Sequence, residues 1–193
     1  DNSTSKFFEK APDHLLLEYI LSKKSILVEG SAEYILLPEL YKKLYPDHSL
    51  AEDGIHLISV GGIKFKRYLS ISNQLDIKTA IIQDNDGKTM EEIQNQYLLD
   101  SDDETSIIDE GKHLLAINVN PDQKTFEEVV FDENEELCNS LFEDRLKTNS
   151  VLGYMLANKT KVALDIAKHL SENPEVDFNV PDYIKDAFEW LQN

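Results

Sequence analysis

Two hydrophobic rhythms alternate along the chain. Leu16, Leu17, Ile20 and Leu21 recur at helical spacing and predict a helix over Asp13–Lys24. The compact run Ser25-Ile26-Leu27-Val28 then predicts a buried strand ending at Glu29-Gly30. A second helix starts at Ser31, carries Ile35, Leu36, Leu40 and Leu44 on its apolar face, and is stopped by Pro46. Ile55–Val60 predicts the next strand, closed by Gly61-Gly62, and Phe65–Leu75 an amphipathic helix. Thr79–Gln83 predicts a third strand, running into Asp84-Asn85-Asp86-Gly87. A polar helical stretch covers Glu91–Leu99, and Leu114–Val119 predicts a fourth strand. Beyond Phe126 the pattern is helical, with Thr160–Leu170 and Pro181–Leu191 the clearest segments. Apolar strand runs without in/out alternation, joined by helices, predict an α/β fold: a mainly parallel four-stranded sheet with helices on both faces, plus C-terminal helices.

Composition changes this picture mainly through charge. The 193 residues carry 37 Asp+Glu against 19 Lys+Arg, a net charge of −18. That excludes a basic coat over the whole surface, the simplest way to hold DNA. The acidity is uneven, however. Glu91 to Glu110 contains eight carboxylates and no Lys or Arg, whereas GGIKFKRY (61–68) carries Lys64, Lys66 and Arg67 without an acid. This basic segment is either a site for DNA phosphates or a solvent-facing helix edge. No run approaches the ~18 apolar residues of a membrane span, and DNSTSKFFEK lacks the apolar core of a signal peptide. Cys138 has no second cysteine to pair with, which fits a reducing, cytoplasmic setting. The five histidines show no ligand spacing. A chain opening at Asp1 without Met suggests a piece of a longer protein.

The chemistry gathers at strand ends, where open parallel sheets bind ligands. Glu29 follows the first strand, Asp84 and Asp86 the third, and Glu33 lies in the first turn after Glu29. Residues two apart on an extended chain point the same way, so Asp84 and Asp86 can aim at one point. Converging carboxylates need a cation among them, and hard oxygen ligands suit Mg²⁺, Mn²⁺ or Ca²⁺. Taken singly, each piece has a plainer reading. Gly30 and Asp84-Asn85-Asp86-Gly87 suit turns, and Glu33 suits a helix start. Two sharper alternatives fail. Aligning Gly87 with the sixth position of an EF-hand loop puts Ile82 first and Ile93 last, where acids are required. The P-loop pattern needs a glycine where Ile82 stands. No Gly-x-Ser-x-Gly elbow occurs.

Ile26-Leu27-Val28-Glu29-Gly30-Ser31-Ala32-Glu33 followed by strand-Asp84-Asn85-Asp86-Gly87 resembles a Toprim (topoisomerase–primase) domain. The style is similar to the C-terminal nuclease domain of the OLD (overcoming lysogenization defect) family of ATP-dependent endonucleases. The lead-in Phe7-Phe8-Glu9-Lys10-Ala11-Pro12 with Leu15-Leu16, and Val60-Gly61-Gly62, resemble it too. Thr125-Phe126-Glu127 resembles the family's Thr-Leu-Glu element, with Glu128 an adjacent competitor. Lys159-Thr160-Lys161-Val162-Ala163 resembles its late lysine element, with Lys161 the runner-up to Lys159.

The resemblance implies a Toprim-like fold divided into a lead-in helix (1–24), a catalytic core (25–150) and a C-terminal helical extension completing the site (151–193). It implies two-metal hydrolysis of DNA with Mg²⁺ or Mn²⁺, Ca²⁺ being a possible inactive substitute. The implied ligands are Glu29, Glu33, Asp84, Asp86 and Glu127, and Lys159 faces the scissile phosphate. It further implies an N-terminal ABC-type ATPase, a dimer in the full-length protein and a role in phage defence; this chain itself has no Walker motif. The alternative is a Toprim module that has lost activity and serves binding or regulation. A receiver-like phosphoryl domain fits poorly, because it needs its acidic pair after the first strand.

Overall fold

The computed structural model describes residues 14–61, 65–98, 106–146 and 150–193. Lys64, Gly62 and the lead-in 7–12 lie outside the described residues. The elements, in order, are α1 (His14–Leu21), β1 (Lys24–Val28), α2 (Ser31–Leu44), β2 (Ile55–Ser59), α3 (Phe65–Leu75), β3 (Lys78–Ile82), α4 (Met90–Asn95) and β4 (His113–Ala116). They continue with α5 (Phe126–Glu133), α6 (Glu135–Phe142), a 3₁₀ turn (Glu143–Arg145), α7 (Val151–Ala157), α8 (Lys159–Glu172) and α9 (Asp182–Gln192).

Among the described residues four strands form one parallel sheet in the order β2-β1-β3-β4. The alternation missing from the sequence is present in space, because both faces are apolar. Ile26, Val28, Ala80, Ile82 and Ala116 point to one side and share a core with α2 and α5–α9. Leu27, Ile58 and Ile81 point to the other and pack on Tyr19 of α1, Phe65 and Leu69 of α3 and Ile93 of α4. Each β1 or β3 residue thus removes apolar surface from water on one side or the other.

The chain leaves β1 for β2 on one side and reaches β3 on the other. This reversal opens a crevice at the carboxyl edge between β1 and β3. In register, Val28 lies against Ile82, so the residues leaving these two strands emerge side by side.

Element limits shift for local reasons. The first helix stops at Leu21 instead of Lys24. The Ser22 hydroxyl turns back to bond Tyr19 O (2.7 Å) and meets Ser25 Oγ (2.6 Å), while Lys24 already pairs with Ile55 and Lys78. The fourth strand ends at Ala116 rather than Val119. Beyond it, Asn118 turns its side chain to Gln123. Phe65–Leu75 has the expected bounds.

One buried polar network carries a pH signature. His113 Nδ1 accepts the Asp109 N–H (3.1 Å), so Nε2–H donates to Ser72 Oγ (2.7 Å), which donates to Ile77 O (2.5 Å). Both ring nitrogens are used by the neutral imidazole, and burial pushes its pKa down to about 4. The stability from this neutral ring is complete above the ordinary histidine range and is lost as pH falls through about 4. NMR titration is expected to find His113 neutral at pH 5.5, with His48, whose pKa is raised by its Asp53 partner, already charged.

Candidate metal centre

Three chain segments deliver acids to the crevice. Glu29 is the first residue past β1, and Gly30 is the N-cap of α2. Gly30 has an extended backbone (φ −119°, ψ 175°), so no turn conformation demands glycine there. A Cβ here would stand 2.8 Å from Glu33 Oε2, which folds back over this position, so a larger residue would have to displace that carboxylate. Glu33 is only 7% exposed. The second segment is the loop after β3, bearing Asp84 and Asp86.

The third is the start of α5. Thr125 caps the helix through a capping box: its hydroxyl accepts the Glu128 N–H, and Glu128 Oε2 accepts the Thr125 N–H at 2.8 Å. Glu128 is thereby committed to the helix end, and Glu127 faces the crevice, 4% exposed. The spacing Thr125-x-x-Glu128 was the sequence signal for this division of labour. The next amide, Phe126 N–H, donates to Asp84 Oδ1 at 2.7 Å and ties the second segment to the third.

Lys159, the first residue of α8, supplies the positive charge. Its ammonium lies 2.7 Å from Glu127 Oε2 and 3.9 Å from Asp84 Oδ2. Lys161 is exposed two residues on. Glu29, Glu33, Asp84, Asp86, Glu127 and Lys159 line one cavity of about 220 Å³, together with Ser31 and Thr160. A larger groove of about 600 Å³ runs between α4 and the β4 edge, away from these acids.

The electrostatics record the cost of this gathering. Burial, then the charge of Glu33, pushes Asp84 up to about 7 against the pull of Phe126 N–H and Lys159. Burial also raises Glu33, and Glu127 and Glu29 add to the effect. Burial depresses the Lys159 ammonium, but Glu127, Asp84 and Glu33 outweigh it and hold its pKa above the usual lysine value. The start of α9 brings in a residue that the sequence did not single out. The Tyr183 phenol is kept protonated by burial and by the field of Asp84, Glu33, Glu133 and Glu127.

The donor set fits a hard divalent cation: carboxylate oxygens without nitrogen or sulfur. Glu127 Oε2 is buried and, despite its close ion contact with Lys159, has no aligned hydrogen-bond donor among the described residues. This buried oxygen and the raised Asp84 mark a place where additional positive charge would be favourable. As arranged here, no three acidic side chains among the described residues converge closely enough to ligate one ion. Asp86 in particular is 63% exposed and leans toward Lys88 at 3.7 Å.

The basic segment is arranged differently from the expectation of a free phosphate-binding edge. Lys66 donates to Leu98 O at 2.8 Å, and Arg67 is half-buried. Lys88 and Lys124 lie nearer the acids. The Lys124 stem approaches Gly87, and Gly87 with Asp86 adopts a left-handed backbone (φ 76° and 53°).

Residues 20–86 match the family model of the TOPRIM domain of overcoming lysogenization defect (OLD) protein-like proteins. Over these residues the chain resembles an OLD-like Toprim domain. Its fold is similar to the C-terminal region of the Burkholderia pseudomallei OLD protein: TM-score 0.62 at 20% identity, covering 89% of this chain and 98% of that one. It is also similar to the C-terminal region of the Xanthomonas campestris pv. campestris OLD protein: TM-score 0.59 at 22% identity, covering 89% and 95%. No curated protein matches the chain. The family match ends at Asp86, so Glu127 and Lys159 join the site through the fold. No helix among the described residues is long and apolar enough to cross a membrane.

Asp84 gives a direct test of the strained charge. With its pKa raised in the fold, the native state holds a proton that the unfolded chain releases at lower pH. Metal-free stability therefore falls as pH rises from the ordinary carboxylate range through about 7. Asp84→Asn is expected to stabilise the metal-free fold at pH 8, by up to about a few kcal/mol at ~1.4 kcal/mol per pKa unit, and so to raise Tm. Near pH 5, where Asp84 is already neutral, it should change little. Melting curves at both pH values check this.

Proposed function

We propose that this domain is a divalent-metal-dependent DNA endonuclease, the Toprim part of an OLD-family ATPase–nuclease acting in phage defence. The observation that carries the reading is the convergence of five carboxylates and one lysine in a single crevice at the sheet's switch point. The shared fold of OLD C-terminal regions supports it.

Glu29, Glu33, Asp84, Asp86 and Glu127 would hold Mg²⁺ or Mn²⁺, with Ca²⁺ an inactive substitute. Bound ions of this class lower the pKa of attacking water and stabilise the departing oxygen in phosphodiester hydrolysis. The protein's own part is to fix the acids and to aim a cation at the phosphate. Lys159, with 43% of its side chain exposed and its ammonium at the crevice, offsets negative charge building on the scissile phosphate. Its place at the head of α8 gives the extension 151–193 a role in completing the site. Ser31 and Thr160 add hydroxyl groups to the wall. Phosphate contacts would come from the basic segment Lys64, Lys66 and Arg67, Lys66 exchanging its bond to Leu98 O for a phosphate, and from Lys88 and Lys124 beside the Asp86-Gly87 turn.

A net charge of −18 repels DNA, so the isolated domain is expected to cleave slowly at physiological salt. An N-terminal ABC-type ATPase and dimerisation would position the duplex in the full-length, cytoplasmic protein.

Plasmid nicking with Mn²⁺ at low salt, in the fragment and in a full-length form, tests the reading. Glu29→Gln keeps size and hydrogen-bonding capacity but removes the charge, and is expected to abolish cleavage with the circular dichroism spectrum unchanged. Undiminished nicking by Glu29→Gln would remove Glu29 from the chemistry. No metal-dependent cleavage in either form would leave a binding or regulatory Toprim module.

A further inference from the structure

We propose that Asn85, between the two aspartates, is the positioning residue that locks the β3–α4 loop to the β4–α5 loop and so holds Asp84 and Asp86 in line with Glu127. The link to metal binding rests on the nuclease reading; the locking of the loops does not.

Asn85 reads as a turn residue in sequence, and a turn former would be exposed and bonded within its own loop. Instead it is 2% exposed. Its Nδ2 lies 2.9 Å from Asn118 O, 2.9 Å from Asn120 O and 3.0 Å from Gln123 O. A carboxamide has two donor hydrogens, and here they are shared among three carbonyls of one distant loop. The Oδ1 atom accepts the Gly87 N–H at 2.7 Å and sets the left-handed turn that follows. Each polar atom of the side chain is used.

The clamped loop runs straight into the acids' third segment. Asp86 N–H donates to Lys124 O at 3.2 Å, and Phe126 N–H donates to Asp84 Oδ1 at 2.7 Å. With Asn85 turned inward, Asp84 and Asp86 on either side of it line the crevice. The loop itself is knotted around the clamp. Asn118 Nδ2 bonds Gln123 Oε1 at 3.0 Å, and Gln123 Nε2 bonds Asp132 Oδ2 of α5 at 2.8 Å. The spacing of Asp84 and Glu127 is therefore held by this buried side chain together with the Phe126 and Asp86 amides.

The clamp requires an amide. Aspartate at this position has the same size but no donor, and it would set a carboxylate against three carbonyl oxygens. In Asn85→Asp, hydrogen exchange at the Phe126 and Asp86 amides is expected to quicken about tenfold or more, while amides in the middle of α2 and α8 keep their protection. Mn²⁺ affinity of the folded variant should fall about tenfold or more, the usual scale for removing the support of a ligand. In an Asp84→Ala background the further loss of affinity should be small, since the positioned ligand is already gone. If Asn85→Asp does not fold, Asn85→Ser, which is neutral but too short for three carbonyls, carries the same measurements. Unchanged exchange at Phe126 and Asp86 overturns the clamp. Faster exchange with unaltered Mn²⁺ affinity overturns its role in positioning the ligands. If the wild-type protein binds no Mn²⁺ while the exchange still quickens, the clamp stands and the metal-dependent reading fails.

Discussion

The governing constraint is the cost of holding carboxylates out of water and beside one another. Five carboxylates are delivered to the carboxyl edge of two adjacent parallel strands, two of them on residues almost fully withdrawn from water. Burial, reinforced by neighbouring acids, disfavours their charged state, which pushes Asp84 up to about 7 and raises Glu33. The rest of the molecule makes the cluster tolerable. The sheet is covered on both faces, so β1 and β3 cannot slip without exposing apolar side chains. α2 and α8 pack closely against each other, holding the Glu33 turn beside Lys159. The Lys159 ammonium places a positive charge beside Glu127 and Asp84.

This arrangement explains why the site draws on segments so far apart in sequence. A single loop could bring two carboxylates together, but it would spread them once their charges met. Glu29 and Glu33 lie across a strand end and a helix start, Asp84 is anchored by the Phe126 amide, and Glu127 is fixed by the capped first turn of α5. Each acid is held by backbone that its neighbours cannot push aside. The exception is Asp86, exposed and facing Lys88, the acid with the most freedom to adjust to a ligand.

Much of this was legible in the sequence, for identifiable reasons. Short β-branched runs ending in acids located β1 and β3, and helical periodicity located α3 to the residue. Period alone does not say where a ladder stops, so Lys24 was read into a helix and Asn118 into a strand. Gly30 was read as a turn glycine, yet its backbone is ordinary, and what a larger residue would meet is the Glu33 carboxylate, which would have to shift. Asn85 was hidden for a different reason: its partners, Asn118, Asn120 and Gln123, are separated from it by a helix and a strand. Lys66 looked like a free cation in sequence, because nothing local reveals that Leu98 O would take its ammonium. Glu127 and Lys159 were placed by resemblance alone; only the fold brings them within 2.7 Å of each other.

The central claim is that the acids are gathered for a cation rather than for one another. Anomalous diffraction from crystals of the domain grown with Mn²⁺ tests it most directly. The account predicts Mn²⁺ in the crevice at ~2.0–2.6 Å from oxygens of Asp84 and of at least one of Glu29, Glu33, Asp86 or Glu127, with Lys159 Nζ moved away from Glu127 Oε2. A crevice without Mn²⁺, with the Lys159–Glu127 contact intact at saturating metal, would contradict it.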